Sequence, residues 1–233
     1  MVGGEKYNLT MKKPVIILSI LALIAGGCKE KTTPKSEATS PQVDTLYTPQ
    51  QVEARQETTV NQNSLEDAII KTIKAYQNQD EKTLNELISK DFGIAFVYRP
   101  GVMDDFSVSD KISFSKPVPD YMPFDCNIIT DYKVHFEELP GFDCNEDKWN
   151  KPPGIYCDTI NPDKTLSDIA KLRNEYAEGN WSAAAIQKFE EIEKNSRKII
   201  VIGKEGNEFV FVLTSRQNNR YLSIIVRFEA CSA

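Results

Sequence analysis

Apolar residues along this chain recur with two periods, and the change from one to the other marks the elements. From Ser64 onward, Leu65, Ile69, Ile73 and Tyr76 recur at helical spacing. Ser64 followed by Asp67 has the form of a capping box. Gln77-Asn78-Gln79 predicts a turn, and Asp80 opens a second helix carrying Leu84, Leu87 and Ile88 and closed by Gly93. The run from Gly93 to Arg99, bounded by Pro100-Gly101, predicts a strand, and Ile112 with Phe114 predicts another. Tyr132, Val134 and Phe136 alternate with Lys133, His135 and Glu137, the pattern of a half-buried strand. Residues 137–163 are dense in Pro, Gly, Asp and Asn and predict a long loop, a feature that is usually functional or stapled.

Helical spacing returns at Thr165, which is expected to cap a third helix. Leu166, Ile169, Leu172 and Tyr176 would point inward, with Gly179 at its end. Ile186, Phe189 and Ile192 mark a fourth helix. Three strands follow, near 197–202, 208–214 and 220–230, joined at Gly203 to Gly206 and at Gln217-Asn218-Asn219. In the last of them Leu222, Ile224, Val226 and Phe228 alternate with Ser223, Ile225, Arg227 and Glu229. Ile225 interrupts the polar side, which predicts that part of this side is covered.

The fold class expected is α+β: two N-terminal helices, short strands, two further helices and a C-terminal three-stranded antiparallel meander. In element order, residues 64–99 and 197–230 resemble nuclear-transport-factor-two-like domains. The four cysteines beyond residue 100 and the 137–163 segment stand outside that resemblance, no motif of the family is matched, and no functional residue is carried over.

Ahead of Ser64 the pattern differs. Lys12 and Lys13 precede the apolar run Val15 to Ile24, and Ala25-Gly26-Gly27 lead into Cys28. A basic stub, an apolar region and small residues before a cleavage point are the parts of a secretory signal. Ser19 interrupts the run and Gly26-Gly27 follows it, so it falls short of the roughly 18 apolar residues of a spanning helix. With a cysteine at the cleavage point, the segment resembles a bacterial lipoprotein signal peptide, with Ala25 where that pattern commonly has leucine. The resemblance implies that residues 1–27 are removed, with Met11 the expected natural start. It further implies that Cys28 carries the acyl chains (palmitate among them) and that the protein sits at the outer membrane. Several acyl chains on one residue make a stable anchor, where one alone binds marginally. Residues 29–63 are rich in Lys, Glu, Thr, Ser, Pro and Gln and read as a tether, too poor in apolar surface to offset ordering entropy. Residues 64–233 are then expected to form a single domain.

The chain has 233 residues, 40% of them hydrophobic, with formal net charge −6. Removing residues 1–27 takes away three lysines and one glutamate and leaves the remainder near −8. That balance argues against nucleic acid as a partner, which needs a basic face. It also supplies no polybasic patch for anionic lipids. Membrane association is therefore expected through the lipid on Cys28. Besides Cys28, the cysteines are Cys126, Cys144, Cys157 and Cys231. An even number in an exported protein predicts disulfides. The expected pairing is Cys144 with Cys157, bracketing the Pro- and Gly-rich loop, and Cys126 with Cys231, tying the C-terminus to the sheet. Cys126 with Cys144 and Cys157 with Cys231 is the alternative.

Few residues offer chemistry. His135 is the only histidine, so any histidine-based catalysis must use it, with Glu137 one step along the same strand face. Ser113 to Lys116 spells Ser-x-x-Lys, but on a predicted strand, where the lysine would not lie one helical turn from the serine. Asp143, Asn145 and Asp147 alternate like the first oxygen ligands of a calcium loop, with Asp158 able to close it from across the loop. The later loop positions fail, with Lys148 in place of the turn glycine and Gly154 in place of the closing glutamate. Trp149, Tyr156, Trp181 and Tyr121 are aromatics able to line a groove. No cofactor is implied. The expectation is a lipid-anchored cell-envelope protein with a non-enzymatic binding or interaction domain. The alternative is an envelope hydrolase using His135 or the acidic 143–158 loop.

Overall fold

A computed structural model describes residues 64–159, 165–176, 179–227 and 231. The signal segment, Cys28 and the 29–63 tether lie outside the described residues. Within them, α1 spans 64–77 and buries Leu65, Ile69, Ile73 and Tyr76, the stripe expected from their spacing. Asp80 caps α2 (Glu81–Glu86), accepting from Thr83 N–H at 3.0 Å and from the Thr83 hydroxyl at 2.6 Å. Gly93 then enters β1 (Ile94–Tyr98) with φ +81. A Cβ there would sit 2.2 Å from the Ser109 carbonyl oxygen, so both the backbone angle and the close approach call for glycine.

Strand β2 is Asp105–Ser109, antiparallel to β1, and not the 112–114 segment that its apolar residues suggested. Ile112 and Phe114 do pack inward, but side chains of α2 take up their backbone. Asn85 Oδ1 accepts from Ile112 N–H at 2.7 Å, and Glu81 Oε1 accepts from Phe114 N–H at 2.7 Å. Such side-chain bonds satisfy a buried backbone as a strand partner would.

After β3 (Val134–Phe136), the segment expected as one long loop contains three strands. β4 (Phe142–Asp143) and β5 (Lys148–Trp149) form a small hairpin. β6 (Gly154–Cys157) is fully buried between β3 and β7. Four residues flanked by Pro and Asp carry too little pattern to stand out; β6 is a strand because strands on both sides pair with it.

Helices α3 (Thr165–Tyr176) and α4 (Ala183–Lys194) pack on each other. Their connection is pinned by Asn174, whose amide donates to the Trp181 carbonyl at 2.7 Å and accepts its N–H at 3.1 Å. α3 buries Leu166, Ile169 and Ala170, while Leu172 and Tyr176 are 43% and 67% exposed. The inward stripe thus passes through Ala170 to Arg173, which reaches Asp105 of β2 at 2.8 Å, and not through Leu172.

The meander is β7 (Ser196–Ile202), β8 (Glu208–Arg216) and β9 (Asn219–Val226). Gln217 and Asn218 both have positive φ, as a tight two-residue hairpin requires. The seven-stranded sheet has order β2-β1-β9-β8-β7-β6-β3, antiparallel except for β1 with β9 and β3 with β6. A bulge interrupts β9: Val212 pairs with Ile224 but Leu213 with Leu222, leaving Ser223 extra. The bulge puts Leu222 on the same face as Ile225 and opposite Ile224, which breaks the simple alternation expected for this strand. Polar groups at the bulge are satisfied by a hydroxyl chain. Ser196 meets Thr214 at 2.7 Å, Thr214 donates to Ser223 at 2.7 Å, and Ser223 donates to the Val212 carbonyl at 3.2 Å.

Both faces of the sheet are covered. On one, Phe96, Ile155, Cys157, Ile199, Phe211 and Ile225 pack under α1 and α2. On the other, Ala95, Val97, Phe106, Val212 and Ile224 pack under α3 and α4. Farther along that second face, Tyr156, Ile200, Ile202 and Val210 meet Leu139 and Trp149. The domain is a mixed α+β fold with the sheet as its middle layer.

Candidate functional site

Of the sequence candidates, His135, Glu137, Tyr156, Trp149 and Asp143 lie toward the β3 end of the sheet, with β3, β6 and the β4–β5 hairpin. His135 lies on edge strand β3 in register with Tyr156 of β6, and their rings stack at 5.4 Å with a 27° tilt. Glu137, one step along, turns to Lys151 at 3.0 Å. Lys151 also donates to the Glu138 carbonyl and lies 5.2 Å above the Tyr156 ring. The Tyr156 hydroxyl donates to the Pro152 carbonyl at 2.8 Å. Burial raises the pKa of this phenol, and Glu137 adds to the rise while Lys151 opposes it. Among the described residues the His135 imidazole makes no hydrogen bond to a carboxylate or hydroxyl, so no nucleophile–base pair is assembled there. Chemically this corner is a small amphipathic shelf: two stacked rings beside an ion pair.

The acidic hairpin does not gather its oxygens. Asp143 Oδ1 accepts the N–H groups of Asn145 at 2.9 Å and Glu146 at 3.3 Å, closing a turn on itself. Asp147 has φ +51, and Lys148 pairs with Glu146. Asp158 sits at the end of β6 with its N–H on the Lys198 carbonyl. Among the described residues no three His, Cys, Asp or Glu side chains are grouped to hold a metal ion. The Ser-x-x-Lys stretch falls in a turn, and its Ser113 hydroxyl donates to Glu81 at 3.1 Å.

The cysteines pair differently from the expectation. Cys144 is bonded to Cys231, with Cα atoms 5.6 Å apart, while Cys126 and Cys157 are free thiols. Cys144 with Cys157 is prevented by the sheet itself. Cys157 points from β6 into the core beneath α1, whereas the hairpin bearing Cys144 packs by Trp149 on the opposite face. Cys126 packs against the α1-side core, and the C-terminal cysteine is already taken by Cys144. Burial pushes the Cys157 thiol up to about 12 and the Cys126 thiol up to about 11, with Asp125 adding to the latter. Neither is an activated nucleophile.

Of the aromatics, Trp181 stacks on Phe106 at 4.6 Å and meets Phe189 edge-on at 5.2 Å, as part of the α3–α4 core. Trp149 meets Phe142 edge-on at 5.2 Å, and Tyr121 is exposed. Among the described residues they fall in separate clusters, Trp181 with α3 and α4 and Trp149 with Tyr156. A shallow depression of about 370 Å³ lies between α1 and α2, lined by Asp67, Lys71, Lys74, Asn78 and Asp80 among others. It contains none of the sequence candidates.

Two buried charges were missed by sequence reasoning. Arg227 is 8% exposed, lies 4.0 Å from the Phe124 ring centroid, and donates to the carbonyls of Val118 (2.5 Å) and Met122. Burial lowers its pKa, and the neighbouring Tyr76 and Cys126 oppose that shift. Glu193 is 4% exposed and caps α3 from α4. Both had a signal in the sequence: Glu193 follows Phe189 by four residues, on the apolar side of its helix, and Arg227 shares the side of its strand that Ile225 marks as covered.

No described helix is long and apolar enough to cross a membrane. Comparison with family models, curated proteins and solved structures finds no match to this chain.

Proposed function

We propose that this chain is a lipid-anchored cell-envelope protein, held at the outer membrane through Cys28, whose domain works as a non-enzymatic binding or interaction module. The observation that carries the reading is the Cys144–Cys231 disulfide, with both cysteines exposed. Such bonds persist in oxidising compartments, and this agrees with a signal segment ending in Cys28. The non-enzymatic part is supported by how the candidate groups are engaged. His135 is stacked on Tyr156, Glu137 is held by Lys151, and Asp143 closes its own turn.

The test has two arms. Expressed with its signal, the wild-type protein should partition into detergent and yield an N-terminal peptide acylated at Cys28. Cys28→Ser should retain the precursor mass and move to the aqueous phase, and unchanged partitioning and mass would sink the anchor. Separately, purified protein is assayed on ester, peptide and glycoside substrates. Hydrolysis abolished by His135→Ala or by the paired Asp143→Asn and Asp147→Asn changes would establish the hydrolase instead.

A further inference from the structure

Three covers lie on the sheet, and one is built unlike the others. α1 with α2, and α3 with α4, each bury several apolar side chains and carry capping bonds. The β4–β5 hairpin has two residues per strand. Even longer isolated hairpins are marginal in water. Its bonds are mostly internal: Asn150 N–H to the Gly141 carbonyl, Gly141 N–H to the Asn150 side chain, and the Asp143 turn. Trp149 is its apolar contact with Tyr156, Ile200, Ile202 and Val210. The indole Nε1 is buried there with no hydrogen-bond partner among the described residues, which weakens the docking. Past β5 the chain is held at Lys151, which binds Glu137 and the Glu138 carbonyl, and at Pro152, whose carbonyl accepts the Tyr156 hydroxyl. Over β4 and the hairpin turn the further tie is covalent. Cys144, in the hairpin turn, is bonded to Cys231 beyond the last strand, and both are exposed to an incoming thiol. β6 beneath is paired on both sides by β3 and β7, so the hairpin can lift without unzipping the sheet.

We propose that the Cys144–Cys231 disulfide is a redox-operated clamp that pins the β4–β5 hairpin over the apolar patch of Tyr156, Ile200, Ile202 and Val210, and that its reduction bares this patch. The reductant is a dithiol. Its thiolate attacks one sulfur of the pair, the S–S bond breaks, and the other sulfur leaves as a thiolate and takes a proton. The second thiol of the reductant then resolves the mixed disulfide. Two electrons and two protons pass to the cysteine pair, and the reductant departs oxidised. The clamp does not involve Cys28, but it rests on the same disulfide that supports the envelope reading, and it opens only where a dithiol reductant reaches that bond.

The experiment is hydrogen exchange on the full-length chain in detergent, oxidised and then reduced with dithiothreitol. Amides of 141–153 should exchange at least about tenfold faster after reduction, while those of 94–98 and 208–226 keep their protection. The Cys144→Ser, Cys231→Ser double variant should reproduce the reduced pattern without reductant. In a Trp181→Phe background, the emission of Trp149 should shift to the red on reduction. Unchanged exchange in 141–153 would overturn the clamp. So would loss of protection throughout the sheet, because the bond would then be a staple of the whole fold.

Discussion

Glu193 on α4 holds Ser167 on α3 by both its backbone and its side chain: the carboxylate accepts the N–H at 3.1 Å and the hydroxyl at 2.6 Å. It accepts Leu166 N–H as well, at 2.5 Å. The first turn of α3 is therefore capped from another helix, and the bond set locks the two helices in register. Truncation by Glu193→Ala would leave buried donors unmet. The expected loss is about 2–3 kcal/mol in urea unfolding. Glu193→Gln keeps an acceptor for the amides and should cost under about 1 kcal/mol. An equal loss in both variants would show that charge, and not acceptance, is what matters.

The same carboxyl sets a pH dependence. Burial raises its folded pKa, Asp168 adds to the rise, and the bonds from Ser167 and Leu166 oppose it. A group whose folded pKa is raised contributes stability below its unfolded pKa and loses it as pH climbs through the folded value. Wild type minus Glu193→Gln should therefore become less favourable as pH rises from about 4, then level off. Paired unfolding curves of the two proteins isolate this group from the other carboxyls. A difference that grows more favourable with pH would reverse the assignment.

Gly93→Ala tests the entry to β1. The position has φ +81, and the added methyl would meet the Ser109 carbonyl at 2.2 Å, in the register pair Ile94 with Ser109. Strain and clash together should cost more than about 2 kcal/mol. Gly101→Ala, with nothing within 4 Å, is the control and should stay within about 0.5 kcal/mol. Similar midpoints for the two variants would mean the β1–β2 edge yields easily.

Thiol mapping tests the cysteine assignment. With folded values of about 11 and 12, Cys126 and Cys157 remain protonated at pH 7.5. Both should resist maleimide in the native protein and label fully in urea. An unreduced digest should yield a Cys144–Cys231 cross-linked peptide. A Cys144–Cys157 peptide would contradict the placement of these residues on opposite faces of the sheet.

What the sequence determined by itself is whatever rests on local period and local turn chemistry. The α1 stripe, the cap at Asp80, β1 and the three meander strands are such features, because each is encoded by neighbours a few residues apart. Tertiary structure decided the rest, because it depends on residues distant in the chain. β6 is a strand because β3 and β7 flank it. Ile112 and Phe114 are docked loop residues because Asn85 and Glu81 reach their backbone. The bulge at Ser223 reassigns the faces of β9, and no alternation in the sequence announces it. Cys144 finds Cys231 because the sheet stands between it and Cys157. A disulfide needs two Cα atoms within about 7 Å, and only the packed layers determine which pairs meet that condition.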